Sequence, residues 1–158
     1  MRSRSLVLAV LAGVLLVAIG VWWVAGTGGH DHATVTIRAA NGSTLGVVSA
    51  RVADTPGERY RGLSGTASLA NGSGMWFVFD DEANRTFVMR DMNYPLDMVF
   101  VGADGRIAVI HHAPTEDPPY HEYRGRARWV LEVPSGWTTS HGVEVGDRAT
   151  AVYDNGTR

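Results

Sequence analysis

The feature that most constrains this chain is an uninterrupted apolar run near its start. Leu6–Ala25 comprises 20 residues without a charged side chain. As an α-helix, such a run rises about 30 Å, which matches the hydrocarbon core of a bilayer. The run therefore predicts one transmembrane helix, and it leaves the remainder of the chain to build a separate folded domain.

The residues that flank the run predict its orientation. Arg2 and Arg4 precede it, and the next basic residue is Arg38, so the positive-inside rule places the N-terminus in the cytoplasm. We expect a single-pass cell-membrane protein with its folded domain outside; the alternative is a signal peptide whose cleavage releases that domain as a secreted protein. The predicted segments are a cytoplasmic start, an anchor, a flexible spacer and an exported domain, at residues 1–5, 6–25, 26–33 and 34–158.

Composition excludes several kinds of chemistry. The chain has no cysteine, so it forms no disulfide, carries no thiol nucleophile and builds no cysteine zinc site. It also has no lysine, which removes Schiff-base chemistry and the lysine of a phosphate-binding loop. The net charge of −2 gives no excess of positive charge that could bind nucleic acid, so we expect no nucleic-acid partner.

The exported part has the pattern of a β domain. Short apolar or alternating segments recur between turn residues, which is typical of strands in a barrel or sandwich. Thr55-Pro56-Gly57-Glu58 has the spacing of a helix capping box, and Ser135 can cap a single turn ending near Gly142. We predict a mainly β, compact, single barrel-like or sandwich-like domain with two short helices. The predicted strands are 34–38, 45–52, 74–79, 86–89, 96–101, 106–112, 128–133 and 148–153.

Ordered motifs across this domain resemble one known family. The motifs are Glu58-Arg59, Arg61-Gly62-Leu63, Gly74-Met75, Phe77-Val78-Phe79, Phe87, Met89-Arg90, Pro95-Leu96-Asp97, Phe100, Asp104-Gly105-Arg106-Ile107, Val130-Leu131-Glu132, Gly136, Gly142 and Gly146-Asp147. They are similar to domain-of-unknown-function family 192, over about residues 45 to 152. The resemblance implies a compact, mainly β domain that is often exported or membrane-anchored, and it implies no established activity.

The segment Phe87–Asp97 is the best candidate for a binding site. Here an apolar stretch runs into a polar turn that holds Arg90, Asp91 and Asp97. A buried Asp between apolar neighbours is costly unless it is paired, so these three side chains could bind an anion or a small polar ligand. The alternative is structural, with Asp97 accepting backbone N–H bonds or pairing with an arginine.

A second candidate site consists of His112, His121 and Glu122, on either side of a proline-rich loop. Imidazole and carboxylate groups can hold a metal ion or act as acid and base. Their spacing matches no established metal motif, so surface or core histidines are the alternative. A metal ion is the one cofactor that these residues suggest.

The nucleophile motifs of hydrolases are missing from the sequence, including the Gly-x-Ser-x-Gly elbow. We therefore expect a membrane-tethered, non-catalytic module that binds a small polar ligand or an envelope partner. A metal-dependent enzyme or metal-handling protein that uses the histidine and carboxylate groups is the alternative function.

Overall fold

The computed structural model describes residues 31–154. The predicted anchor and the segments before and just after it lie outside the described residues, except for the end of the spacer. Within the described part, no helix is long and apolar enough to cross a membrane. The described residues form the domain that follows the predicted anchor.

Seven strands and two short helices make up this domain. In chain order they are β1 His32–Arg38, β2 Thr44–Ala53, α1 Pro56–Arg61, β3 Ser73–Phe87, β4 Leu96–Val101, β5 Ile107–Ala113, β6 Tyr123–Pro134, α2 Trp137–Ser140 and β7 Arg148–Tyr153. The prediction of a mainly β domain with two short helices is confirmed.

All seven strands belong to one sheet, in the order β5-β4-β6-β3-β2-β1-β7. The neighbours pair antiparallel except for β2 and β3, which run parallel and are joined through α1. The sheet is open, because β5 and β7 are its edges and an isolated bridge between Arg106 and Arg148 joins them at one end only. The predicted barrel or sandwich is therefore replaced by one open sheet.

Helix α1 forms as its sequence predicts. The Thr55 side chain accepts from the Glu58 backbone N–H, and the Glu58 carboxylate accepts from the Thr55 backbone N–H, so the capping box is complete. Pro56 opens the helix, where its missing N–H costs nothing. The helix ends at Gly62, whose φ of 52° favours glycine.

The predicted separation of strands 74–79 and 86–89 is wrong, because the acidic triplet Asp80-Asp81-Glu82 between them does not end the strand. Strand β3 continues through the acidic triplet to Phe87, because a register shift between Val78 and Ala83 absorbs the extra residues while the pairing with β6 resumes. Two ion pairs stabilise the shifted segment at the surface. They join Asp81 to Arg85 and Glu82 to Arg126.

The sheet carries an apolar core on each face. Alternate residues of β4 separate the two cores, with Met98 and Phe100 in one and Val99 and Val101 in the other. Side chains from all seven strands enter the core that contains Val99, together with Trp137 of α2. The opposite core is built on β3, β4 and β6, and it is this face that carries the pocket described next.

Candidate functional site

A pocket of about 480 Å³ lies on the face of the sheet that carries Phe100. Its floor is apolar and aromatic, with side chains from the adjacent core that include Phe77, Phe87, Met89 and Leu96. One wall is α1 and the turn that follows it, and the other is the loop after β3. This volume is within the range of small-molecule sites in proteins.

The α1 wall is held on the sheet by Arg59. Its guanidinium donates hydrogen bonds to the carbonyl oxygens of Asp54 and, at 2.8 Å, Val78. At the end of the helix a Cβ on Gly62 would lie 3.3 Å from the Phe77 ring, so the glycine permits a close approach between helix and strand. The wall is thus positioned by contacts that do not depend on a ligand.

Arg90 joins the two walls. Its guanidinium donates to the Tyr60 carbonyl oxygen and lies 4.2 Å from the Tyr60 ring centroid. In return, the Ser64 hydroxyl donates to the Arg90 carbonyl oxygen at 2.8 Å. The backbone N–H of Gly65 donates to the carbonyl oxygen of Asp91, which has a φ of 54°. These bonds join the two walls of the pocket and fix their relative positions.

The electrostatics of the pocket are dominated by arginine. Arg59, Arg61, Arg85 and Arg90 all contribute to its lining. The guanidinium groups of Arg59 and Arg85 both approach the Phe79 ring, at 5.2 and 4.0 Å from its centroid. Arg85 is paired with Asp81, so the positive potential of the pocket comes mainly from Arg59, Arg61 and Arg90. Because guanidinium groups stay charged at every physiological pH, this potential is permanent and attracts an anion.

One carboxyl group also lines this pocket. Glu132 of β6 is only 5% exposed, and its neighbours in register are Met75 on β3 and Met98 on β4. Burial alone raises the pKa of Glu132 to about 8. Among the described residues, no group donates a hydrogen bond to this carboxyl or forms an ion pair with it. It is therefore a buried acid whose polar atoms are available to a ligand.

The structure places the predicted binding residues in different environments. Arg90 lines the pocket, and Asp91 is an exposed residue of the same loop whose carbonyl oxygen holds the turn. Asp97 is fully buried on the opposite side of β4, where Thr138 donates to it from both backbone N–H and hydroxyl, at 2.9 and 2.6 Å. Arg90 and Asp97 are not brought together, and Asp97 takes the structural role given above as the alternative.

The pKa of Asp97 agrees with this structural role. Burial acts to raise it, but hydrogen bonds from Thr138, from the His112 ring and from the Gly136 backbone outweigh burial and hold the pKa below its ordinary value. The carboxylate is thus ionised and saturated with donors. It anchors the start of α2 to the sheet.

The predicted metal residues are also separated. His112 pairs with Asp97 at 2.8 Å, whereas the His121 ring packs on Tyr123 and Glu122 pairs with the neighbouring Arg124. Nowhere in residues 31–154 do three histidine or carboxylate side chains lie close enough together to hold a metal ion. The geometry therefore lends no support to the predicted metal site.

Comparison with known proteins identifies the family. The sequence pattern of the domain of unknown function DUF192, described as an uncharacterized ACR, matches residues 36–151. The chain belongs to the DUF192 family. This confirms the resemblance inferred from the motifs, and it extends the match by several residues toward β1. No curated protein shows a significant match to this DUF192 chain.

Two solved structures are similar over most of their length. A proposed transcription regulator from Sinorhizobium meliloti is 29% identical with a TM-score of 0.71, and the match covers 80% of this chain and 98% of that one. A protein of unknown function from Novosphingobium aromaticivorans is 30% identical with a TM-score of 0.69, and the match covers 78% and 88% respectively. The open-sheet fold is therefore shared with experimentally determined relatives.

Sequence reasoning missed four charged pocket residues, which are Glu132, Arg59, Arg61 and Arg85. Arg59 and Glu132 appear among the family motifs, but no local pattern indicated that they share a cavity. The available signal was the isolated Glu inside an apolar strand, Val130-Leu131-Glu132-Val133, since a carboxyl among buried neighbours requires an explanation.

Proposed function

We propose that this DUF192 protein is a membrane-tethered, extracytoplasmic, non-catalytic module that binds a small anionic ligand with an apolar body. The observation that carries the proposal is the pocket of about 480 Å³, in which an apolar, aromatic floor lies beneath four arginines. A carboxylate or phosphate would be attracted to the arginines, and its apolar part would be buried against the floor.

The non-catalytic part of the proposal rests on the chemistry of the lining. The one hydroxyl that bridges the walls, that of Ser64, donates to the Arg90 carbonyl oxygen and is not activated by a base. The net charge of −2 does not favour nucleic acid as a partner, so we do not transfer the description of the Sinorhizobium relative to this chain.

The ligand proposal is tested by ligand-observed NMR titration of the full chain in non-ionic detergent. The probes are butanoate, pentanoate and hexanoate, each matched with its uncharged amide. We expect the carboxylates to bind at least about tenfold more tightly than the amides, which corresponds to about 1.4 kcal/mol, because only they can pair with arginine.

Two variants localise the binding. Arg61→Gln removes a pocket charge from an exposed side chain and is expected to weaken carboxylate binding severalfold. Arg38→Gln is the matched control, since Arg38 is an exposed arginine on β1 outside the pocket lining. Equal affinity of carboxylates and amides, or equal loss in both variants, would rule out this pocket as an anion site.

The tethering part rests on the apolar run Leu6–Ala25 and on Arg2 and Arg4 before it. In right-side-out membrane vesicles from expressing cells, the full chain should stay with the membrane after a carbonate wash. Added protease should digest its domain without detergent. A protein recovered entirely in the soluble fraction, or protected until detergent is added, would contradict the proposed topology.

A further inference from the structure

Glu132 is the feature of the pocket that anion binding does not explain. An arginine-lined anion site needs no carboxyl group, and an unpaired carboxyl in an apolar interior destabilises the fold. The side chain is 5% exposed and lines the cavity from the central strand β6, between Met75 and Met98 of the flanking strands. A Leu or Met at this position would pack against the same neighbours without the cost of desolvation.

A second polar group near Glu132 also lacks a partner. The Tyr94 hydroxyl is buried, and the Thr66 side chain near it lies outside ordinary hydrogen-bond geometry. Burial is the main cause that raises the pKa of Tyr94, and the nearby carboxyl of Glu132 is the second cause. The hydroxyl therefore stays neutral. Of these two groups, Glu132 lines the cavity and Tyr94 does not, so Glu132 is the one that a polar ligand group would meet.

We propose that the pocket binds a zwitterionic ligand, with its anionic group at the arginines and its ammonium or amidinium group on Glu132. This inference rests on the proposed function and adds the chemistry of the inner end of the ligand. The apolar body of the ligand would lie along Phe77 and Phe87, between the two charged ends. ω-Amino carboxylates are the simplest molecules with these features.

The proposal predicts that binding is coupled to release of a proton. The other charged groups that line the pocket are arginines, from α1, β3 and the loop after β3, and they do not titrate near neutral pH. Tyr94 stays protonated, and the neighbours Met75 and Met98 are uncharged. Because burial keeps Glu132 protonated below about pH 8, a cation must displace one proton to pair with it. Affinity should therefore rise about tenfold per pH unit from pH 6 to pH 8 and then level off.

The test is a ligand-observed NMR titration of the full chain in non-ionic detergent at pH 6, 7 and 8. It compares butanoate, pentanoate and hexanoate with their ω-amino counterparts. At pH 8 the amino acid of best length should bind at least about tenfold more tightly than its matched carboxylate. Glu132→Gln should remove both this preference and the pH dependence, whereas Glu144→Gln, which changes an exposed carboxyl outside the pocket, should keep both.

The outcomes separate this inference from the function on which it rests. If the simple carboxylates bind and the amino acids bind no better at any pH, the zwitterion proposal fails and the anion pocket stands. If neither series binds, both proposals fail. The pH profile of the native chain decides the matter on its own should Glu132→Gln not fold.

Discussion

Replacing Glu132 by Gln is expected to stabilise the protein, and to do so more strongly as the pH rises. Gln has nearly the same shape but cannot ionise. In the native chain the pKa of Glu132 is about 8 in the folded state, against an ordinary value of 4.5. Between these two values the unfolded chain loses the proton while the folded chain keeps it, so folding must take up a proton.

The sign follows from proton linkage. A raised carboxyl pKa means that the folded state binds more protons, so the free energy of unfolding falls as the pH increases. The slope is about 1.4 kcal/mol per pH unit within the window from 4.5 to about 8, and the effect is complete above the upper value. From pH 5 to pH 8 the native chain should therefore lose about 3.5 kcal/mol relative to Glu132→Gln, because the slope is less than its full value near both ends of the window.

The assay is urea denaturation of the full chain in non-ionic detergent at pH 5, 6, 7 and 8, with tryptophan fluorescence as the probe. Other titrating carboxylates, such as Asp97, contribute equally to both proteins and cancel in the difference. Glu144→Gln, at an exposed position, should track the native chain at every pH. A difference between Glu132→Gln and native that stays the same from pH 5 to pH 8 would refute the reasoning, because the carboxyl would then titrate normally in the fold.

Two further substitutions test the packing on the two faces of the sheet, and Gly57→Ala is the control for the second. Asp97→Ala leaves the Thr138 donors buried without an acceptor, and it should lower the free energy of unfolding by about 3 kcal/mol in urea denaturation at pH 7. Since the pKa of Asp97 is lowered in the fold, this difference from the native chain should shrink as the pH falls below about 4. Gly125→Ala would place a Cβ 2.6 Å from the Phe100 ring and should cost about 1–3 kcal/mol, whereas Gly57→Ala in α1 meets nothing within 4 Å and should be neutral or slightly stabilising by thermal denaturation.

The elements that the sequence predicted well are those determined by local chemistry. The capping box of α1 depends on two side chains three residues apart, Thr55 and Glu58, and it appears in the structure with both bonds formed. Strands β1, β2, β4 and β7 likewise begin and end within a few residues of their predicted limits. Short-range hydrogen bonding and side-chain alternation carry this information, so no knowledge of the fold was required.

The errors arise where distant parts of the chain decide the structure. The acidic triplet after Phe79 has the composition of a turn, yet pairing with β6 carries β3 through it, and Arg126 from that partner strand neutralises Glu82. The open sheet was not predictable for the same reason. Strand patterns give the number and spacing of strands, but not whether the two edge strands pair along their whole length.

Similar reasoning explains what was found and missed at the site. Arg90 was predicted as a ligand residue and lies in the pocket, but Asp97, seven residues later, faces the opposite side of the sheet. The intervening loop has no period, so the sequence could not show on which face each residue would lie. The parallel crossover from β2 to β3 brings α1 and β3 together, and so it decides which of their arginines lie in the pocket with Arg90.

Glu132 shows most directly how the fold gives a residue its chemistry. In an antiparallel strand with one solvated face, a Glu that alternates with Leu131 and Val133 would simply point into water. Here both faces of β6 are covered by apolar cores, so the same alternation buries the carboxyl. Keeping this unpaired acid in a pocket lined by arginines lowers the stability of the fold at neutral pH. Such a cost is characteristic of functional sites, and it is the reason that this residue, rather than the better-paired Asp97, is the one on which the ligand chemistry of the pocket should be tested.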